Sequence, residues 1–220
     1  MTGPGEPPAT QGLEDLGFED QGFEGRAISC RRGERLVFAR LEFSLAAGGL
    51  LLLRGPNGSG KSSLLRLMAG LLKPAEGELF RDGAPIARDP DHHRRRLAFL
   101  GHLDALKPAL SAAENLAFWC GKASVEAALA ALNIAPLAKR PVRLLSQGQR
   151  RRLALARVLA SRASLWLLDE PTNALDDEAV TLFARLLASH RAAGGMAAIA
   201  LHGDSDLPNA TTLDLASFAP

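Results

Sequence analysis

The run Gly55-Pro56-Asn57-Gly58-Ser59-Gly60-Lys61-Ser62, followed by Ser63, has the composition of a loop that wraps a phosphate chain. The glycines at 55, 58 and 60 let backbone N–H groups turn inward, Lys61 can reach the β- and γ-phosphates, and the Ser62 hydroxyl can bind Mg²⁺. Further on, the apolar stretch Leu165-Trp166-Leu167-Leu168 runs straight into Asp169 and Glu170. Such a strand is buried, and its end delivers two carboxylates to the sheet edge where ligands of α/β proteins bind. Asp169 is suited to hold Mg²⁺, and Glu170 to accept a proton from attacking water. His202 ends another apolar strand, Met196 to Leu201. Parallel strands that end together put it near the same edge, in reach of a γ-phosphate and Glu170.

Ser146-Gln147-Gly148-Gln149 opens a helix, and a helix N-terminus bearing a serine hydroxyl and a bare glycine is again suited to an anion. By itself Ser146 reads as an ordinary N-cap. Beside the first loop it reads differently, because it lies too far along the chain to share that loop's phosphates. It implies a site completed by a second copy, a dimeric ATPase with its two nucleotides between subunits.

The elements that must carry these residues follow from apolar spacing. Gly49 to Arg54 is an apolar strand that ends at the glycine loop, and Leu64, Leu65, Leu67, Met68 and Leu71 follow helical spacing after it. Strand, loop and helix N-terminus in that order are the context a phosphate loop requires. Short strands are expected over 27–45, 77–80, 97–100, 165–168 and 196–201, with a last stretch at Thr211 to Leu215. Helices are expected over about 124–132, 147–161 and 177–190, and Ser111 with Glu114 forms a capping box before the apolar run to Trp119. Strands alternating with helices predict an α/β fold with a mostly parallel sheet. Residues 102–144, rich in alanine, read as a helical insertion. Residues 1–24, rich in Gly, Pro and acids, read as a mobile tail ahead of one domain over 25–220.

Composition sets outer limits. A chain of 220 residues with 47% hydrophobic content suits one sizeable α/β domain. A net charge of +2 gives no electrostatic case for nucleic acid. Cys30 and Cys120 have no metal spacing and form no disulfide framework, which fits a reducing cytoplasm. The longest pure aliphatic stretch, Leu50 to Leu53, is far short of a membrane span, and the N-terminus lacks the apolar core of a signal peptide. A membrane role therefore requires a separate membrane subunit.

The set Gly55 to Ser62, Leu145 to Gln149, Leu165 to Glu170, Ala174-Leu175-Asp176 and His202 resembles the nucleotide-binding subunit of an ABC transporter. The resemblance covers about Ala27 to Leu215 and is highly specific. It implies the P-loop NTPase fold of ABC nucleotide-binding domains, with an antiparallel β subdomain. It implies a head-to-tail dimer in which Ser146, Gly148 and Gln149 meet the partner's ATP, and places Asp176 in the loop that addresses the opposite site. Two departures narrow it. Where such subunits usually carry a Gln after the strand over 97–100, this chain has His102, a further candidate metal ligand. Where they stack an aromatic on adenine, the position falls near Arg32, and the chain has no Tyr. With Cys30-Arg31-Arg32 ahead of Leu36-Val37-Phe38, both departures are similar to the heme-exporter ATP-binding subunits of bacterial cytochrome c maturation. That resemblance implies ATP and Mg²⁺ as cofactors, integral membrane partners, and a peripheral place on the cytoplasmic face of the inner membrane. The alternative is an ABC system for another substrate, such as a lipid or lipoprotein. A soluble ABC ATPase of DNA repair or translation is disfavoured by the lack of a long coiled-coil insertion, and a catalytically dead scaffold by the presence of Lys61, Asp169, Glu170 and His202.

Other features have plainer readings. His92-His93-Arg94-Arg95-Arg96 reads as a solvated loop and Arg150-Arg151-Arg152 as a helix face. Phe118 and Trp119 read as core of the insertion, while Leu103, Leu106 and Leu110 are divided between core and a groove for a membrane partner.

Overall fold

A computed structural model describes residues 17–120, 124–201 and 207–220. Two sheets organise it. The strands β1 (Gly22–Arg32), β2 (Arg35–Ala46), β4 (Glu76–Arg81) and β5 (Ala84–Pro85) form an antiparallel sheet in the order β2-β1-β4-β5. The strands β3 (Leu50–Arg54), β6 (Leu97–Leu100), β7 (Leu165–Asp169), β8 (Met196–Ala200) and β9 (Thr211–Asp214) form a parallel sheet in the order β6-β7-β8-β3-β9. The helices are α1 (Lys61–Met68), α2 (Pro90–Arg95), α3 (Ala112–Cys120), α4 (Val125–Ala131), α5 (Gln147–Ala160) and α6 (Asp177–Ala192).

The period of two along a strand explains how one parallel sheet serves two cores. In β7, Trp166 and Leu168 join Ala197, Ile199 and Leu50 in a cluster with the residues of α3, α4 and α5. Leu165 and Leu167 point the other way, joining Leu51, Leu53 and Ala198 in a cluster with α1 and the antiparallel sheet. Continuous apolar runs are what a strand covered on both faces requires. In β2, by contrast, Leu41, Phe43 and Leu45 are buried and Glu42 and Ser44 exposed, the alternation of a strand with one covered face.

The Ser111–Glu114 capping box forms, with the Ser111 N–H donating to Glu114 Oε2 at 2.8 Å and the Glu114 N–H to Ser111 Oγ at 3.2 Å. Buried Asn115 then ties the loop before α3 to the helix. Its Oδ1 accepts from the Lys107 N–H at 2.7 Å, and its Nδ2 donates to the Lys107 and Ser111 carbonyls.

Three expectations need correction. The first strand starts at Gly22, inside the stretch read as a tail, and Asp20 is buried between Arg81 and Arg96. Residues 1–16 lie outside the described residues. The segment 92–96 is not a solvated loop: α2 ends there, His93 is buried and stacked on Phe23, and Arg96 pairs with Asp20 and Asp82. Phe118 and Trp119 are not core. They stand 61% and 54% exposed, because the buried face of α3 is made by Ala112, Asn115 and Leu116. Their rings are covered instead by cations, Lys107 Nζ at 4.3 Å from the Phe118 ring and Arg157 at 5.2 Å from the Trp119 ring. Arg151, read only as one of three arginines on a helix face, is set apart from its neighbours on the buried face of α5.

Candidate functional site

The loop between β3 and α1 is built on close contacts. Gly60 caps α1 with φ 106°, and a Cβ there would stand 2.8 Å from the side chains of both Val37 and Phe38. Only glycine meets both conditions. Lys61 follows as the first residue of α1 and is buried, its ammonium donating to the carbonyls of Gly55 at 2.6 Å and Pro56 at 3.3 Å. The Ser59 N–H also bonds the Pro56 carbonyl, but the buried Ser59 Oγ has no hydrogen-bond partner.

A cleft of about 460 Å³ opens on this loop. Asn57, Gly58, Gly60, Lys61, Ser62 and Ser63 line it from the loop, Arg32, Arg35 and Val37 from the β1–β2 hairpin, and Glu170 from the end of β7. The structure thus brings together residues from three distant parts of the chain. Gly55, Pro56 and Ser59 belong to the same loop without lining the cleft. Asp169 is buried at the last position of β7, beside Glu170.

Glu170 itself adopts φ 50°, the left-handed region, which a non-glycine residue occupies only when its surroundings hold it there. The Glu170 N–H donates to the Ala200 carbonyl at 2.9 Å, so its turn stays attached to β8. The Asn173 side-chain amide donates to Glu170 Oε2, and the Asn173 N–H to the Glu170 carbonyl at 3.2 Å.

The other predicted residues lie apart. Ser146 is the N-cap of α5, and its cap is reciprocal: Ser146 Oγ accepts from the Gln149 N–H at 3.2 Å, and Gln149 Oε1 accepts from the Ser146 N–H at 3.0 Å. Gly148 passes so close to the Ala174 carbonyl that a Cβ would stand 2.7 Å from its oxygen. Asp176 is the N-cap of α6, accepting from the Ala179 N–H at 2.9 Å and from Arg152 Nη2 at 2.6 and 2.7 Å. The Ala179 N–H and then the Arg152 guanidinium hold its carboxyl below the usual range. His102 is exposed in the loop after β6 and does not line the cleft. His202 lies outside the described residues.

Reading the chain as a sequence missed Arg35, Asn173 and above all Arg151. The signal for Arg151 was periodic: at spacings of four and seven it precedes Leu155 and Val158, on the buried face of α5.

Comparison with known proteins agrees with this geometry. Residues 38–173 match the family model described as ABC transporter. A Rhodospirillum rubrum protein named "Cytochrome c biogenesis ATP-binding export protein CcmA" is 54% identical over 89% of this chain and 86% of its own length. A protein of the same name from Paramagnetospirillum magneticum is 53% identical, over 87% and 93%. Among solved structures, a chain from Pyrococcus furiosus superposes with a TM-score of 0.79 at 24% identity, covering 91% of this chain and all of that one. The ATP-binding subunit of an ABC transporter superposes at 0.75 and 22% identity, covering 83% and 80%. The family-model match and the two highly identical relatives show that the chain belongs to the ABC transporter family, and the superpositions show that it has the fold of the family's ATP-binding domain.

Proposed function

We propose that this chain hydrolyses ATP to ADP and phosphate as the nucleotide-binding subunit of a membrane ABC assembly in cytochrome c maturation. Its work there is heme handling or export and release of the heme chaperone, at the cytoplasmic face of the inner membrane. The observation that carries the chemistry is the cleft in which Lys61, Ser62 and Glu170 meet. The cellular role is supported by the names of the relatives above.

The donor set fits a magnesium nucleotide. The Ser62 hydroxyl and Asp169 carboxylate are hard oxygen ligands, and the buried Lys61 ammonium is a cation suited to phosphate oxygens. Ser62 and Asp169 would hold Mg²⁺, which would supply positive charge to offset that of the phosphates. Lys61 exchanges its two loop carbonyls for oxygens of the β- and γ-phosphates. Glu170 accepts the proton of the water whose oxygen attacks the γ-phosphorus as the bond to the β-phosphate oxygen breaks. Ser146, Gly148 and Gln149 close the nucleotide of a second copy, and Asp176 stands beside them in that interface. From the family resemblance we assign His202 to the γ-phosphate and His102 to the metal side; His102 itself is exposed and does not line the cleft. No helix among the described residues is long and apolar enough to cross a membrane. The exposed Leu103, Phe118 and Trp119 offer an integral membrane subunit its contact.

Phosphate release by the wild type and by Glu170→Gln tests the reading. The variant is expected to bind ATP, to turn over at least ~100-fold more slowly and to accumulate as an ATP-bound dimer. Equal turnover of the two proteins would remove Glu170 from the base role.

A further inference from the structure

We propose that Arg151 is a positioning residue for hydrolysis, which sets the direction of Glu170 and ties it to the loop after β6. The proposal rests on Glu170 as the base. Arg151 is 5% exposed, and a guanidinium so deep is tolerated only when its N–H groups are met. Nε donates to the Pro171 carbonyl at 3.2 Å. Nη1 donates to the Gly101 carbonyl at 3.2 Å and to Asp104 Oδ1 at 2.9 Å. Nη2 donates to the Asp169 carbonyl at 2.7 Å and to the Glu170 carbonyl at 2.5 Å. The acceptors therefore divide between two segments, the turn 169–171 and the loop 101–104.

The turn-side bonds have a specific consequence. A carbonyl oxygen lies in the plane of its peptide unit. Holding the Asp169 carbonyl sets the plane on the N-terminal side of Glu170, and holding the Glu170 carbonyl sets the plane on its C-terminal side. Together they define φ and ψ at Glu170, and with them the direction of its Cβ. The guanidinium thus holds the left-handed conformation at φ 50° together with the Glu170 N–H bond to Ala200 and the Asn173 N–H bond to the Glu170 carbonyl. The fork is necessary: a lysine at this position offers three donors from one atom and cannot meet acceptors on both segments.

The loop-side bonds make the same guanidinium a mechanical link. Leu103, between Gly101 and Asp104, is 81% exposed. A partner that moves this loop pulls on Nη1, and Nη2 carries the displacement to the planes around Glu170. Arg151, which joins the loop 101–104 to the base turn, stands on α5, the helix that Ser146 caps.

The experiment compares wild type, Arg151→Lys and Arg151→Gln, as the full chain alone and in the membrane assembly that copurifies with it. ATP affinity is expected to stay within about threefold while kcat falls at least ~10-fold in both variants. Because Arg151 acts through Glu170, adding Arg151→Gln to Glu170→Gln should cost less than about a further twofold in kcat. The same loss in both backgrounds, or an unchanged kcat, would overturn the proposal. Asp104→Asn tests the loop side and also decides the matter if neither Arg151 variant folds. Its kcat is expected to fall about threefold with ATP affinity unchanged, and an unaltered kcat overturns the link. Equal turnover of wild type and Glu170→Gln would be a different result, the failure of the base assignment.

Discussion

Lys61 enters the cleft with its ammonium already bonded to the Gly55 and Pro56 carbonyls. On the proposed function, nucleotide binding exchanges those bonds for charge-assisted ones. Lys61→Ala should weaken ATP binding at least ~10-fold, in keeping with about 1.5–3 kcal/mol for a hydrogen bond to a charged group. Titration calorimetry measures it, and a Kd within twofold of wild type would contradict the role. The base should be chosen loosely. Among the described residues no aromatic side chain lines the cleft, whereas Arg32 and Arg35 do. A guanidinium stacks on either purine, so ATP and GTP are expected to compete within about tenfold, or 1.4 kcal/mol. A larger preference for ATP in competition binding would count against base contacts of this kind. The meeting of Lys61, Ser62 and Glu170 in one cleft, with Asp169 beside Glu170, was legible in the sequence because local spacing marks the strand ends that carry them. Arg151 was not, because its partners lie on two segments distant in the chain, and three successive arginines read as a charged face. Asn173 was hidden for a similar reason, since its amide matters only once Glu170 turns left-handed.

At the scale of elements, the strands were legible wherever both faces are apolar, as in β3, β7 and β8. The start of β1 was not, because it depends on a polar contact. Arg81 donates to both oxygens of Asp20, at 2.9 and 3.2 Å, and to Ser164 Oγ at 2.7 Å, while Arg96 bridges Asp20 and Asp82. Burial works to raise the Asp20 pKa, but the Arg81 bond, Ser164 and the two guanidinium charges outweigh it and hold the group below its ordinary value. The network joins the segment before β1 to β4, to the residue after α2 and to the residue before β7. Asp20→Ala leaves two guanidinium groups without their shared anion and should lower unfolding stability by about 3–5 kcal/mol. Urea unfolding at neutral pH reads this directly. A change below about 1 kcal/mol would reduce the network to a surface ion pair. The aromatic pair Phe118 and Trp119 misled for the opposite reason. Size and apolarity suggested core, but the helical face that α3 buries is set by Ala112, Asn115 and Leu116.

For the whole molecule, acid sensitivity follows from two buried histidines. Burial, chiefly, lowers the pKa of both His93 and His190 to about 4; the Met68 carbonyl, for His93, and the Met196 and Ser164 carbonyls, for His190, oppose it. The charges of Arg81, Arg96 and Arg94 lower His93 further. In the unfolded chain each titrates near 6.5. The unfolded state therefore binds protons first as pH falls. Stability is complete above about pH 6.5 and declines down to about pH 4, by roughly 2 kcal/mol per histidine at pH 5. His190 stacks on Trp166 at 4.0 Å, a contact that His190→Phe can retain. That variant should lose about half of the wild type's drop in urea stability between pH 8 and pH 5, and an equal drop in both proteins would contradict the account.

The central claim is that ATP hydrolysis at Glu170 drives cytochrome c maturation. Its most direct test is heme staining of c-type cytochromes, after denaturing electrophoresis, in a cell whose only copy of this protein carries Glu170→Gln. The account predicts that covalent heme staining is lost while b-type cytochromes remain normal. Normal c-type staining in that strain would contradict it.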